Sequence, residues 1–184
     1  MKKFNSKLIV ANWKSNPATL AEAVLLAKKI EQGLSKFKKS EVVIAPPYPF
    51  LVSMFEILRK VKLGAQNVFW QDVGPYTGEI SWRQLKNFGV KYVIVGHSER
   101  KIYLGELNEM INKKVKALLE NEIIPILCIG ERERSTDNQI PVVVEEQLKK
   151  ALAGVRKNLV QKLVVAYEPG WAISTMPGAK PDTP

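Results

Sequence analysis

Six short apolar runs recur along the chain, separated by stretches whose apolar residues repeat at helical spacing. The runs are LIVANW (8–13), VVIAP (42–46), KLGAQNVFW (62–70), YVIVG (92–96), IPILCIG (124–130) and LVVAYE (163–168). None alternates cleanly between apolar and polar residues, so each reads as a strand covered on both faces. Helical period appears between them at Leu20, Val24, Ala27 and Leu34; at Leu51, Phe55 and Leu58; at Leu107, Ile111, Val115 and Leu118; and at Val144, Leu148, Leu152 and Val155. Strand then helix, repeated, builds a parallel sheet, because parallel neighbours need a crossover connection. No linker or low-complexity segment divides the chain, so residues 1–184 read as one domain. Two architectures fit: an open doubly wound sheet or a (β/α) barrel.

Composition narrows the chemistry. With 46% hydrophobic residues and four tryptophans, 184 residues suffice for one sizeable core. The opening MKKFNSKLIVANWK holds too brief an apolar stretch for a signal peptide, and no segment approaches ~20 apolar residues. The expectation is a soluble, cytoplasmic protein with no membrane partner. One cysteine and one histidine exclude a disulfide framework and a Cys/His zinc site, so no metal is expected. Among eleven glycines there is neither G-x-G-x-x-G nor G-x-x-x-x-G-K-S/T, which removes both nucleotide-binding fingerprints. The formal charge is +10, but the lysines are scattered over the helical stretches (Lys28, Lys29, Lys38, Lys39, Lys60, Lys113, Lys114, Lys116, Lys149, Lys150) without interleaved aromatics. They read as a solvated basic surface that attracts a small anion, with no nucleic-acid partner.

Polar residues cluster where the strands end. Asn12 and Lys14 follow the first run, His97, Ser98 and Glu99 the fourth, Glu131 the fifth and Glu168 the sixth. In a parallel sheet or barrel the carboxyl ends of the strands share one face, and that face carries the site. One base, one neutral polariser, one cation and one amide then stand together, the inventory for moving a proton beside a carbonyl.

The segments ANWKSN (11–16), VGHSER (95–100), INKKVKALLE (111–120), PILCIGE (125–131) and AYEPGWAIST (166–175) resemble the triosephosphate isomerase family, in register along the whole chain. The resemblance implies cofactor-free, metal-free interconversion of two phosphorylated trioses through an enediolate. Glu168 is implied as the base, His97 as a neutral imidazole whose pKa a helix N-terminus lowers, Lys14 as the cation and Asn12 as a donor to the oxyanion. Pro169 keeps Glu168 out of helical geometry, and residues 170–178 correspond to the family's lid, with Ser174 a backbone donor to phosphate. By the same resemblance Glu99 pairs with Lys14, Arg100 with Glu106, and Glu131 and Tyr167 hold Trp171 in alternative lid positions, while Cys128 packs behind Glu168. The stretch 66–81 matches a loop that enters a neighbouring subunit, with Thr77 at its tip, so a homo-oligomer is implied, a dimer or, if other copies cover open edges, a tetramer.

The family barrel has eight strands in roughly 250 residues, whereas six runs are present here. The expected fold is therefore an incomplete TIM (β/α) barrel of about six parallel strands, with unpaired edges on the first and sixth. The phosphate-gripping loops after strands seven and eight fall outside it, so weak or lost turnover is expected; a catalytically silent oligomeric scaffold and one half of a split isomerase are the alternatives. Gly170, beside the acid, is read as adding backbone freedom.

Overall fold

The computed structural model describes residues 7–34, 40–133 and 140–172. Six parallel strands, β1 (Lys7–Asn12), β2 (Ser40–Ala45), β3 (Lys62–Ala65), β4 (Tyr92–Val95), β5 (Ile124–Ile129) and β6 (Val164–Tyr167), lie in sequence order in one sheet. The sheet curls into an incomplete TIM barrel, with β1 and β6 at its ends. Helices connect the strands: α1 (Leu20–Gly33), α2 (Leu51–Ile57), α3 (Trp82–Asn87), α4 (Ser98–Tyr103), α5 (Asn108–Glu120), α6 (Val142–Leu152) and α7 (Lys157–Val160).

The strand period of two separates two apolar layers. Val43, Ala45, Tyr92, Ile94, Ile126 and Cys128 pack together on the inner face, joined by half-buried Leu8, Val10, Val164 and Ala166. Their neighbours Val42, Ile44, Leu63, Ala65, Val93, Val95, Leu127 and Ile129 face outward into the core that the helices cover. On the end strands the outward residues Ile9 and Val165 are 50% and 47% exposed.

Local chemistry starts the helices. At α1 the Thr19 hydroxyl accepts from the Glu22 amide while the Glu22 carboxylate takes the Thr19 amide, and Ser81 and Gln84 repeat this reciprocal cap at α3. The short helices α3, α4 and α7, of six, six and four residues, are too brief to show helical period, and the sequence pattern does not mark them.

Two readings need correction. The third apolar run extends to residue 70, but β3 ends at Ala65. The Gln66 side chain there donates to the carbonyls of Lys14 and Ala45 at 2.8 and 2.9 Å, and Asn67 is held by the Tyr48 hydroxyl and Lys114, so the chain leaves the ladder. Lys114 is also no solvated charge: it is 2% exposed and bonds Asn67 Oδ1 at 2.7 Å and the buried Glu106 carboxylate. Lys38 and Lys39 lie outside the described residues. Among the described residues no helix is long and apolar enough to cross a membrane.

Candidate active site

The inward parity of β1 and β6 continues past their last residues. Leu8 and Val10 face inward, and so does Asn12; Val164 and Ala166 precede Glu168 in the same phase. A cavity of about 300 Å³ at this mouth is lined by Asn12, Lys14, His97, Glu168, Pro169 and Ala172.

Lys14 is reached through a tight turn. Its backbone has φ 53°, uncommon for a side chain with a Cβ. Two bonds hold it there: its amide donates to Asn12 Oδ1 at 2.9 Å, and its carbonyl accepts from Gln66. The first also orients Asn12, because Oδ1 faces the amide and Nδ2 remains as the donor. Lys14 Nζ ends 2.6 Å from Glu99 Oε1.

His97 follows Gly96, whose φ of +71° suits glycine and whose missing Cβ would sit 3.2 Å from the Cys128 carbonyl. It caps α4, its Nδ1 accepting the Glu99 amide hydrogen at 3.3 Å. An acceptor at Nδ1 assigns the neutral tautomer with its proton on Nε2. Nδ1 is also 3.5 Å from Glu99 Oε2, beyond useful hydrogen-bond range. Nε2 points across the cavity to Glu168 Oε2, 3.5 Å away.

Glu168 is set by the β5–β6 ladder, its amide donating to the Ile129 carbonyl at 2.8 Å. Oε2 is buried and has no hydrogen-bond partner among the described residues. Burial, followed by the Glu168 charge, pushes the pKa of the buried Cys128 thiol up, so it stays protonated beside this carboxylate.

Beyond Pro169 a 3-10 turn, Gly170–Ala172, is tied to the segment that follows β5. Glu131 gathers it: one carboxylate accepts from Trp171 Nε1 at 2.7 Å and from the Tyr167 hydroxyl at 2.8 Å, both together. Burial opposes ionisation of Glu131, but these two donors outweigh it and hold its pKa below the ordinary value. Gly170 is not a point of freedom; it is buried, its amide donates to the Glu131 carbonyl at 2.7 Å, and a Cβ would stand 3.1 Å from that oxygen.

The remaining predicted residues spread outward. Ser98 Oγ is buried without a partner among the described residues, beside a second cavity behind Glu168. Arg100 lies 3.3 Å from Glu106, which it shares with Lys114. Thr77 is exposed in the loop after β3, far along the chain from the cavity residues. Ser174 lies outside the described residues. No three His, Cys, Asp or Glu side chains among the described residues gather where they could hold a metal ion.

Residues 7–184 match the sequence model of the family described as triosephosphate isomerase. The triosephosphate isomerase of Dictyoglomus turgidum is 46% identical over 177 residues, which cover 95% of this chain and 71% of that protein. The triosephosphate isomerase of Clostridium botulinum is 46% identical over 171 residues, 91% of this chain and 68% of that protein. The chain belongs to the triosephosphate isomerase family.

Three residues that touch this family site were not found by sequence reasoning. Gln66 supports the Lys14 turn, and Lys101 and Gln147 approach Glu168 from behind. Burial lowers the Lys101 pKa, against the pull of Cys128, Glu106 and Glu168. Gln147 did leave a signal, a polar residue on the inward stripe Val144, Leu148, Ala151 of α6, where an amide needs partners.

Proposed function

We propose that this site interconverts dihydroxyacetone phosphate and glyceraldehyde 3-phosphate. The observation that carries the reading is the pairing of Glu168 Oε2, buried and unpartnered among the described residues, with His97 Nε2 at 3.5 Å. Glu168 takes the proton from the carbon beside the carbonyl and returns it to the neighbouring carbon. His97 donates from Nε2 to the carbonyl oxygen as the enediolate forms, and Asn12 Nδ2 donates to the same developing charge. Lys14, held by Glu99, offsets the negative charge of the substrate. No cofactor is needed, because the proton leaves and returns within one molecule.

The test is the coupled isomerisation rate with glyceraldehyde 3-phosphate, with Glu168→Gln as control. Turnover in the parent that disappears in the variant supports the reading. Equal rates in both reject it, and a parent without turnover leaves the silent scaffold or the split isomerase.

The reading extends to assembly. Val73, 72% exposed, and Thr77 lie in the loop after β3, which is proposed to dock on a second copy and give a dimer or tetramer. A monodisperse monomer in light scattering rejects that part.

A further inference from the structure

Glu168 is aimed by its backbone, and its backbone rests on Gly130. A Cβ built on Gly130 would lie 2.1 Å from the Glu168 carbonyl oxygen and 2.6 Å from its carbon. The two main chains are therefore in contact, and a shift of Gly130 is a shift of Glu168. Gly130 follows the end of β5 and has left the ladder, so another group must hold it. That group is Gln147 of α6. Its Oε1 accepts from the Gly130 amide at 2.9 Å and its Nε2 donates to the Gly130 carbonyl at 3.0 Å. A planar amide bonded on both edges fixes position and orientation together, as a strand neighbour does.

We propose that Gln147 is a positioning residue for Glu168, acting through Gly130 to hold the carboxylate in register with His97. The inference rests on the reading of Glu168 as the base. Lys101 of α4 joins the same clamp, its Nζ 3.4 Å from both Gln147 Oε1 and the Cys128 carbonyl. Two outer helices thus grip the end of the strand that bears on the base. Among the described residues none of α6 lines the cavity that holds Asn12 and Lys14, so loosening this grip misplaces the base while leaving substrate contacts from β1 in place.

The test compares Gln147→Leu with Asn112→Leu in the full chain. Asn112 also ties α6 by two side-chain bonds, to the carbonyls of Ala151 and Ala153 at 2.8 and 2.9 Å, but at the far end of the helix. Urea unfolding measures the stability lost by each. Hydrogen exchange by NMR is then read at the Glu168 and Gly170 amides, which donate to Ile129 and Glu131, alongside kcat and KM for glyceraldehyde 3-phosphate. Gln147→Leu is expected to speed exchange at those two amides by about tenfold or more and to lower kcat by about 10- to 100-fold with KM nearly unchanged, the scale of a base displaced by about 1 Å. Asn112→Leu is expected to lose comparable stability with neither effect. Exchange at the two amides that stays at the parent rate, or rises equally in Asn112→Leu, overturns the proposal, as does parent-like kcat in Gln147→Leu. An inactive parent whose two amides are still deprotected only by Gln147→Leu upholds the brace and rejects the isomerase reading.

Discussion

Replacing Lys114 by Met should destabilise the protein far more than removal of any surface lysine. Lys114 and Glu106 are 2% and 4% exposed, so their pairing is not screened by water. Burial pulls the Lys114 pKa down while Glu106 opposes it. Without Lys114 the Glu106 carboxylate keeps, among the described residues, only Arg100, at 3.3 Å, and Asn67 Oδ1 loses its donor. Breaking a buried pair from one side costs about 3–5 kcal/mol. The retained Arg100 places this case near the lower end, about 3 kcal/mol. With a urea slope of about 2 kcal/mol per M, the unfolding midpoint should fall by about 1.5 M. Adding Glu106→Met removes the stranded charge and should restore most of the loss, leaving about 1 kcal/mol for the unpaired Asn67 oxygen. Urea unfolding followed by circular dichroism measures all three proteins. A single variant within about 1 kcal/mol of the parent, or a double variant no more stable than the single, would refute the reasoning.

Gly130→Ala should push the Glu168 backbone away, since its Cβ would meet the Glu168 carbonyl at 2.1 Å; the expected result is a kcat lower by about 100-fold with KM preserved, and unchanged kinetics would contradict the contact. The Glu131 grip on Trp171 should weaken in acid: its folded pKa is lowered from 4.5 by the Trp171 and Tyr167 bonds against the cost of burial, so its contribution is complete above 4.5 and lost as pH falls below it toward the folded value. Trp171 fluorescence, isolated by subtracting Trp171→Phe, should report that transition, and its persistence in Glu131→Gln would count against it. At the alkaline end burial raises the pKa of both Tyr48 and Tyr92 above 10.0, so their stabilising contribution is complete below 10 and lost as pH rises beyond it. Tyr48→Phe should flatten part of that decline in a melting series, and an identical alkaline slope would exclude Tyr48 as a cause.

Elements whose burial is regular were legible in the sequence, and those set by single polar contacts were not. The runs at 42–46, 92–96 and 124–130 became β2, β4 and β5 because both faces are covered, and the end of each strand delivered the polar residues to one rim. The run at 62–70 misled because Val68 is apolar for its burial in the core rather than for a place in β3, and Phe69 makes only an isolated parallel bridge with Ser81. Leu20 belongs to the helical spacing of α1 yet stands at its first residue and is exposed; Ala23 and Ala27 carry the buried stripe instead. Lys114 was read with the surface lysines because nothing in helical spacing says which partner waits across the interface. Gln66 escaped because a neutral amide carries no chemical signature until its partners are seen, and Gln147 left only its place on the inward stripe of α6, which names no partner.

The arrangement of the site follows one physical rule on three elements. Each reacting residue has one polar atom committed to the scaffold and another turned to the cavity. Asn12 commits Oδ1 to the Lys14 amide, leaving Nδ2 to donate; His97 commits Nδ1 to the Glu99 amide, leaving Nε2–H. Glu168 is fixed by its amide, which donates to the Ile129 carbonyl, while Oε2 faces His97. A group bound on one side cannot rotate without breaking that bond in a partly buried setting, so its second atom is aimed before substrate arrives. Such preorganisation removes the reorientation that water would have to make around a developing charge, which is where electrostatic catalysis gains most. The commitments come from backbone amides, groups that do not titrate near neutral pH, whereas a second carboxylate or imidazole in those places would rearrange as it changed charge. The geometry therefore ties the aim of donor, polariser and base to the fold itself, and a perturbation that leaves these three bonds intact should change stability without changing which atoms meet the substrate.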